Sequence, residues 1–437
     1  MDTTFINKLM KISLVQITFI CLSLLFLTNA SHAQQIDSIQ KAGILDSLPE
    51  IRLKESSDML AGESYLENDS IFGLNENDIL ALFEGNEVET SDFNARSKRI
   101  RVDELLRALE GRPGQLRFNG GATSIFQALD SAEWLNYYGT GSFDIYAHTL
   151  LGEGILVFFD LEAIGGNGPN ERFATFSPVN SDAGTTRSAD GLDRLTILEA
   201  WSEFSLFEDA IQITAGKIDL TNYFDNNASA NDETMQFING AFVNNAAFAV
   251  PSNSPGIRIQ TTLFKRYHLH FGLSSLDNSG TDIFTNLYGI GSLAWTILPG
   301  TDFESNLRLY GYQHPEIKNG YGWGTSIDLL LFKTYNLFGR YGSNQAEIVD
   351  YWPIESSWSV GARFVRPILK RTLAIGIAYG EQTSFDESLN HERVVELYGR
   401  RQVNEWIHIS PHVQWIQNAA GTNNDYRVYG IRTHFNF

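Results

Sequence analysis

Six arginines, Arg258, Arg308, Arg340, Arg363, Arg400 and Arg432, sit in separate short segments, on the same face as the carboxylates Glu199, Glu203, Asp328 and Glu396. Trp201, Tyr310, Tyr312 and Tyr398 share that face. Charges of both signs beside aromatic rings suit two tasks. Rings of fixed charge sort ions in a pore. Hydrogen-bonding groups next to aromatic faces suit the hydroxyls and C–H faces of a sugar. Bond-making chemistry has no such support: the chain holds no G-x-S-x-G elbow, Walker loop, G-x-G-x-x-G fingerprint or H-E-x-x-H pair. The glycine cluster Gly139–Asp144 lacks the third glycine and reads as the opening of a strand. His268 with His270, and His408 with His412, share faces, but convergent ligands that would complete a metal site are missing. The acidic run Asp225–Glu233 offers oxygen ligands for a hard cation without calcium-loop spacing. It reads as a solvated or loop-bracing run. Neither enzyme chemistry nor a cofactor nor a metal is expected.

The elements that must position these residues alternate with a period of two, as strands do. In one segment Ile257, Ile259, Thr261 and Leu263 fall on one face, and Arg258, Gln260 and Thr262 on the other. In the last, Tyr429, Ile431, Thr433, Phe435 and Phe437 alternate with Arg432, His434 and Asn436. About sixteen such segments follow one another from 115 to 437, and single-chain outer-membrane barrels have even strand numbers. The connections alternate as well. Gly152-Glu153, Phe207-Glu208, Lys265-Arg266, Leu298-Pro299-Gly300, Lys333-Thr334 and Val403-Asn404 are tight turns. Those between them are longer and polar, above all 165–193 and 218–254. Within lipid every backbone N–H and C=O needs an internal partner, so only helices and closed barrels span. The expected fold is all-β: a transmembrane antiparallel up-and-down barrel over 115–437, apolar faces to lipid, charged faces to the lumen, short turns on the periplasmic side. The loop 218–254 carries apolar Phe237 and Phe242 beside Asp225, Asp232 and Glu233. It is expected to fold inward, where the wall would cover the phenylalanines and its arginines would meet the acids.

Residues 1–33 read as a secretory signal: Lys8 and Lys11, an apolar run from Ile12 to Leu27, and Ser31-His32-Ala33 as the cleavage site. Cys21, the single cysteine, lies within that run, so the mature chain would have no thiol or disulfide chemistry. Residues 34–114 form an acidic, partly helical periplasmic extension, with helical patches near Asn77–Glu84 and Val102–Glu110. In the second, Leu105, Leu106 and Leu109 share one face, and Gly111 and Pro113 end it. A net charge of −20 argues against nucleic acid as a partner. Hydrophobic residues make up 43% of the chain. No later stretch is long and apolar enough for a spanning helix.

Three stretches resemble the carbohydrate-selective, OprB-type porins of bacterial outer membranes: Ile197–Asn227, Ala230–Pro251 and Val395–Gly421. The likeness covers about 130–437; the family usually shows Asn-Pro-Gly where this chain has Ala419-Ala420-Gly421. It implies an outer-membrane channel for passive diffusion of small hydrophilic solutes, carbohydrates among them. Outer-membrane lipid and the barrel-assembly machinery would be partners, and a homotrimer is a possible assembly. Two alternatives stay open: a non-sugar, ion-conducting porin, suggested by the resemblance of the Phe242-Val243-Asn244-Asn245 stretch to another branch, and a barrel that anchors the envelope through 34–114.

The terminal Phe437 is expected to act as the assembly signal and to complete the closing seam. Deleting Phe437 should leave the chain in the periplasmic fraction. An unchanged yield in purified outer membranes would remove that role.

Overall fold

The computed structural model describes residue 114 and residues 116–437, apart from 132–134, 152–153, 185–192, 208–209, 369–370 and the single positions 265, 282, 300 and 333. The expected leader 1–33, and the expected extension over 34–113 with the helical patches expected in it, lie outside the described residues.

Sixteen strands close into one antiparallel barrel, each bonded to its neighbours in sequence, with β1 meeting β16. They are β1 (Arg117–Asp130), β2 (Leu135–Leu150), β3 (Ile155–Asn167), β4 (Arg194–Leu206), β5 (Ile211–Ile218), β6 (Ser254–Leu263), β7 (Tyr267–Ser275) and β8 (Leu287–Ile297). The second half comprises β9 (Ser305–Gln313), β10 (Tyr321–Leu331), β11 (Tyr335–Asn344), β12 (Ile354–Ile368), β13 (Arg371–Ser384), β14 (Glu392–Gln402), β15 (Ile407–Gln417) and β16 (Tyr426–Asn436). Most segments expected from the alternation stand within a few residues of these bounds. Gly139–Asp144 is a correction: it lies inside β2, because β1 runs on to Asp130 and pairs it with Leu135.

The period of two is a physical division of the wall. In β6, Ile257, Ile259 and Leu263 are exposed while Arg258 is buried; in β16, Tyr429, Ile431 and Phe435 are exposed while Arg432 and His434 are buried. Outward aromatic pairs gather at both rims, as barrels place them at the two membrane interfaces. Tyr267–Trp295 and Tyr335–Phe364 stand at the rim of the short turns, Trp323–Tyr341 and Trp358–Tyr379 at the other. Phe207, Phe264, Leu298 and Phe332 each open a short turn with positive φ, 53–56°. A bulky side chain in that region is uncommon and costs local strain. Phe264 and Phe332 are exposed at that rim, where lipid rather than water would surround them.

At the seam, Gly120 N–H donates to the Phe437 carbonyl (2.9 Å), and Phe437 N–H returns a bond to Gly120 (3.1 Å). A Cβ on Gly120 would come within 2.4 Å of the Phe437 ring, so only glycine admits that ring. The ring stacks on Phe143 at 5.5 Å. The last residue thus ties β16 to β1 and leans on β2.

The two faces of β6 predict opposite responses to charge. Ile259→Arg, on the outer face, should cost about 2–4 kcal/mol near the bilayer midplane. The same change at Gln260, on the inner face, should cost far less. Urea titration of the vesicle-folded barrel measures both, and equal costs would mean the register is slipped by one residue, which exchanges the faces.

Candidate functional site

The lumen is not an open cylinder. The connection 219–253, between β5 and β6, runs into the barrel and is buried for most of its length. It holds two one-turn helices, α1 (Thr221–Phe224) and α2 (Gly240–Val243). Asn239 caps α2 by accepting from the Ala241 amide at 2.9 Å. Such short helices contribute little stability of their own. The loop is held by what it packs on.

Arg340 on β11 is the chief anchor. Its guanidinium lies 3.0 Å from the Asp225 carboxylate, and both side chains are almost fully buried. The Nε–H direction misses that oxygen, so the contact is an ion pair rather than a hydrogen bond. Nη1 donates to the Phe242 carbonyl (2.6 Å), and Nη2 to the Asp225 carbonyl (3.0 Å). The other Asp225 oxygen accepts from Tyr310 Oη (3.1 Å), while Oδ2 takes the Asn245 amide (2.6 Å). Asn245 in turn donates to Tyr310 Oη (3.0 Å) and to the Tyr341 carbonyl (2.9 Å). Breaking one partner out of a buried pair of this kind typically costs about 3–5 kcal/mol, because a charge is left uncompensated.

Around this pair the wall meets the loop with both polar and apolar groups. Glu396 on β14 accepts the amides of Ile238 (3.0 Å) and Asn239 (2.9 Å). Arg432 on β16 donates to the carbonyls of Glu233 and Gln236, the latter at 2.8 Å. Asp328 on β10 accepts from the Ala228 amide (2.9 Å) and from Arg308 (3.3 Å). Tyr312 donates to the Ala247 carbonyl (2.8 Å) and accepts from the Ala249 amide (3.1 Å). Phe237 rests edge-on against Tyr398 at 5.0 Å and beside Phe242 and Phe338. Phe248 lies on Tyr310 and Tyr312. Asp232 Oδ1 accepts the amides of Thr234 and Met235, bracing the loop's own turn.

A second connection joins the first. Residues 168–193 carry the one-turn helix α3 (Ser181–Gly184), and the backbone of this loop binds the other: Ser181 N–H to the Ile238 carbonyl (2.9 Å), Gly240 N–H to the Pro178 carbonyl (2.8 Å). Gln414 on β15 links both, donating to the Val179 carbonyl and accepting from Asn239. Sequence reasoning marked this connection as long and polar and did not place it inside. Its one available signal was Phe173, Phe176 and Val179 amid polar residues, now buried or half-buried.

All fourteen inward candidates of the wall lie on the inner face. Arg340, Arg432, Glu396, Asp328, Tyr310, Tyr312 and Tyr398 touch the loop 219–253. Trp201 donates to Glu199 (3.0 Å). Glu203 accepts from Thr214 (2.7 Å) and stands 3.7 Å from Arg258, whose guanidinium also lies 4.3 Å over the Tyr223 ring. Arg363 and Arg400 face inward on β12 and β14 and are buried. Among the described residues no group of three or more His, Cys, Asp or Glu converges as a metal would require.

The model of the family described as "Carbohydrate-selective porin, OprB family" matches residues 142–302 and 333–437. Among solved structures, the high-pH structure of Pseudomonas putida OprB superposes with a TM-score of 0.61 at 14% identity, covering 80% of this chain and 100% of that one. The low-pH structure of the same protein gives 0.52 at 12% identity over the same shares. An uncharacterized protein of Aquifex aeolicus (strain VF5) is 25% identical over 252 residues, 58% of this chain and 72% of its own length. The two structures agree with the closed barrel, and the family model spans more than half of the chain. The chain belongs to the carbohydrate-selective porin (OprB) family and is an outer-membrane porin.

Proposed function

We propose that sugars and other small hydrophilic solutes cross this barrel by passive diffusion, past a constriction made by the loops 219–253 and 168–193. The observation that carries this reading is the buried union of the first loop with the wall through Arg340 and Asp225. A loop so held narrows the passage permanently, and loops of this length usually serve function. The inward residues then divide by task. Arg340, Arg432, Glu396, Tyr310 and Tyr312 hold the loop, with Asp225, Phe237 and Phe242 as its side of the contact. Arg308 is placed to meet solute with charge-assisted hydrogen bonds, whereas Arg258, Glu203 and Trp201 are buried, Arg258 over the Tyr223 ring of the loop. Arg308 is the more open of these arginines, its side chain 12% exposed. Export through a signal cleaved after Ala33, insertion by the barrel-assembly machinery through Phe437, a periplasmic place for 34–114, and assembly as a homotrimer complete the proposal.

Shortening Asn226–Val250 to a tight turn should raise single-channel conductance several-fold and abolish sugar block. Planar-bilayer recording with sugar competition tests this, and unchanged conductance would move the constriction to the wall. A milder variant separates loop release from misfolding. Asp225→Asn should leave the heat-modifiable barrel intact, raise current noise, and open 219–253 to limited proteolysis, with a loss of about 3–5 kcal/mol in local stability. A quiet, protease-resistant Asp225→Asn channel would show that the ion pair does not hold the loop. In the same recordings, Arg308→Glu should shift ion preference toward cations.

A further inference from the structure

The outer face of the barrel carries a groove beside the rim opposite the short turns. It lies on β8–β10 and holds about 560 Å³. Its floor is glycine: Gly291 on β8 stands opposite Gly311 on β9, and Gly289, two residues nearer the rim, stands opposite Gln313. Phe271, opposite Gly291, forms one wall, and Trp323, opposite Gly311, forms the other. Both rings are exposed. Toward the midplane the glycines give way to the exposed pair Leu293 and Leu309, which end the groove.

The fold itself does not call for glycine at these three positions. None of them takes a positive φ. A methyl group at Gly291 would meet nothing nearer than the Phe271 ring at 3.6 Å, and one at Gly289 or Gly311 nothing nearer than 3.8 Å. Those are ordinary van der Waals distances. The inner face of β10 is the opposite case, where Gly322 and Gly324 make way for the rings of Tyr312 and Tyr310. Glycine inside a strand weakens it, and often marks a place where a ligand approaches the backbone closely.

Place and chemistry name the occupant. The outward wall of an outer-membrane porin meets hydrocarbon, and its longer connections lie on the outer side, so this rim stands in the outer leaflet. A second protein copy would need about 800 Å² per partner for a stable contact, far more than a groove two strands wide provides. No residue lining the groove is charged, so a lipid phosphate is not what it recognises. At the rim end, Gln313 stands opposite Tyr321, and the Gln345 amide donates to the Tyr321 carbonyl (2.9 Å). The two glutamines thus flank Tyr321, with their carboxamides exposed. A carboxamide both donates and accepts. An amide-linked acyl chain offers an N–H and a C=O where head joins tail and satisfies both roles, whereas an ester only accepts.

We propose that this groove holds one amide-linked acyl chain of an outer-leaflet glycolipid. The tail lies on Gly289, Gly291 and Gly311 between Phe271 and Trp323, and the amide linkage sits between Gln313 and Gln345. The site goes beyond the channel reading and does not depend on what the lumen passes.

The test is native mass spectrometry of the full chain, folded in mild detergent and incubated with lipid A, which has amide-linked chains, or with phosphatidylethanolamine, which has only ester-linked ones. One lipid A per chain should survive activation that strips phosphatidylethanolamine. Gly291→Leu together with Gly311→Leu fills the groove and should cut lipid A retention several-fold. Gly399→Leu is the matched control: that glycine also faces outward on β14, with open space around it, and its variant should retain the lipid. Gln313→Leu together with Gln345→Leu should erase the preference for lipid A over phosphatidylethanolamine, and it keeps the test open should the two leucines impair folding. Only barrels with heat-modifiable mobility are compared. Undiminished retention in the groove-filled chain, or equal loss in Gly399→Leu, would overturn the proposal. So would a preference that survives removal of both glutamines. A lipid-free dimer of the unmodified chain that dissociates on Gly291→Leu with Gly311→Leu would assign the groove to a second copy instead. Conductance enters none of these readouts, so a chain that never conducts would sink the channel reading and leave this site standing.

Discussion

Every feature of this molecule depends on the backbone hydrogen bond in a solvent that offers none. Lipid leaves each unpaired N–H or C=O at a cost of several kcal/mol. The chain meets this by pairing each strand on both sides and by closing β1 onto β16. The pairing between Gly120 and Phe437 extends that closure to the last residue. Once the cylinder is closed, the two faces of each strand meet two solvents, and side-chain alternation follows from the pleat. The apolar residues that elsewhere would build a core form the outer belt, and the charges turn inward.

That inversion explains why the interior is organised by ion pairs and backbone contacts rather than by close-packed aliphatics. Arg340 serves one carboxylate and two carbonyls of the loop 219–253, and Arg432 serves two further carbonyls. A guanidinium presents its donors in a fixed fork, so it can bind several acceptors of an irregular backbone at once. Glu396 does the converse for two amides. The wall thus supplies the hydrogen bonds that a buried loop lacks, and Phe237, Phe242 and Phe248 supply the apolar contact. The loop and the wall around it form a small core built inside the barrel, and the charged wall residues are its foundation.

The barrel itself was legible in the sequence. The period of two, the alternation of long and short connections and the even number of segments each reflect local rules: the pleat, the two solvents and the return of an up-and-down chain. The inner and outer faces at Arg258 and Ile259, or Arg432 and Ile431, could be read because a strand's parity survives without knowledge of its neighbours. The inward course of 218–254 was also legible, from phenylalanines that water would disfavour.

What the sequence could not supply is which partner each inward group meets. Arg340 and Asp225 lie far apart in the chain, and nothing local tells Arg340 from Arg363 or Arg400. Only the closed cylinder brings β11 opposite the loop between β5 and β6 and lets Asp225 find that one guanidinium. The loop 168–193 was missed for the same reason, since its backbone bonds at Ser181 and Gly240 exist only once the other loop is in place. The sequence by itself determined the strands, their faces and the solvent each face meets, because those depend on neighbours one and two residues away. The tertiary structure alone decided which wall groups hold the loop, because buried charge is paired by distance in space, and the barrel sets that distance.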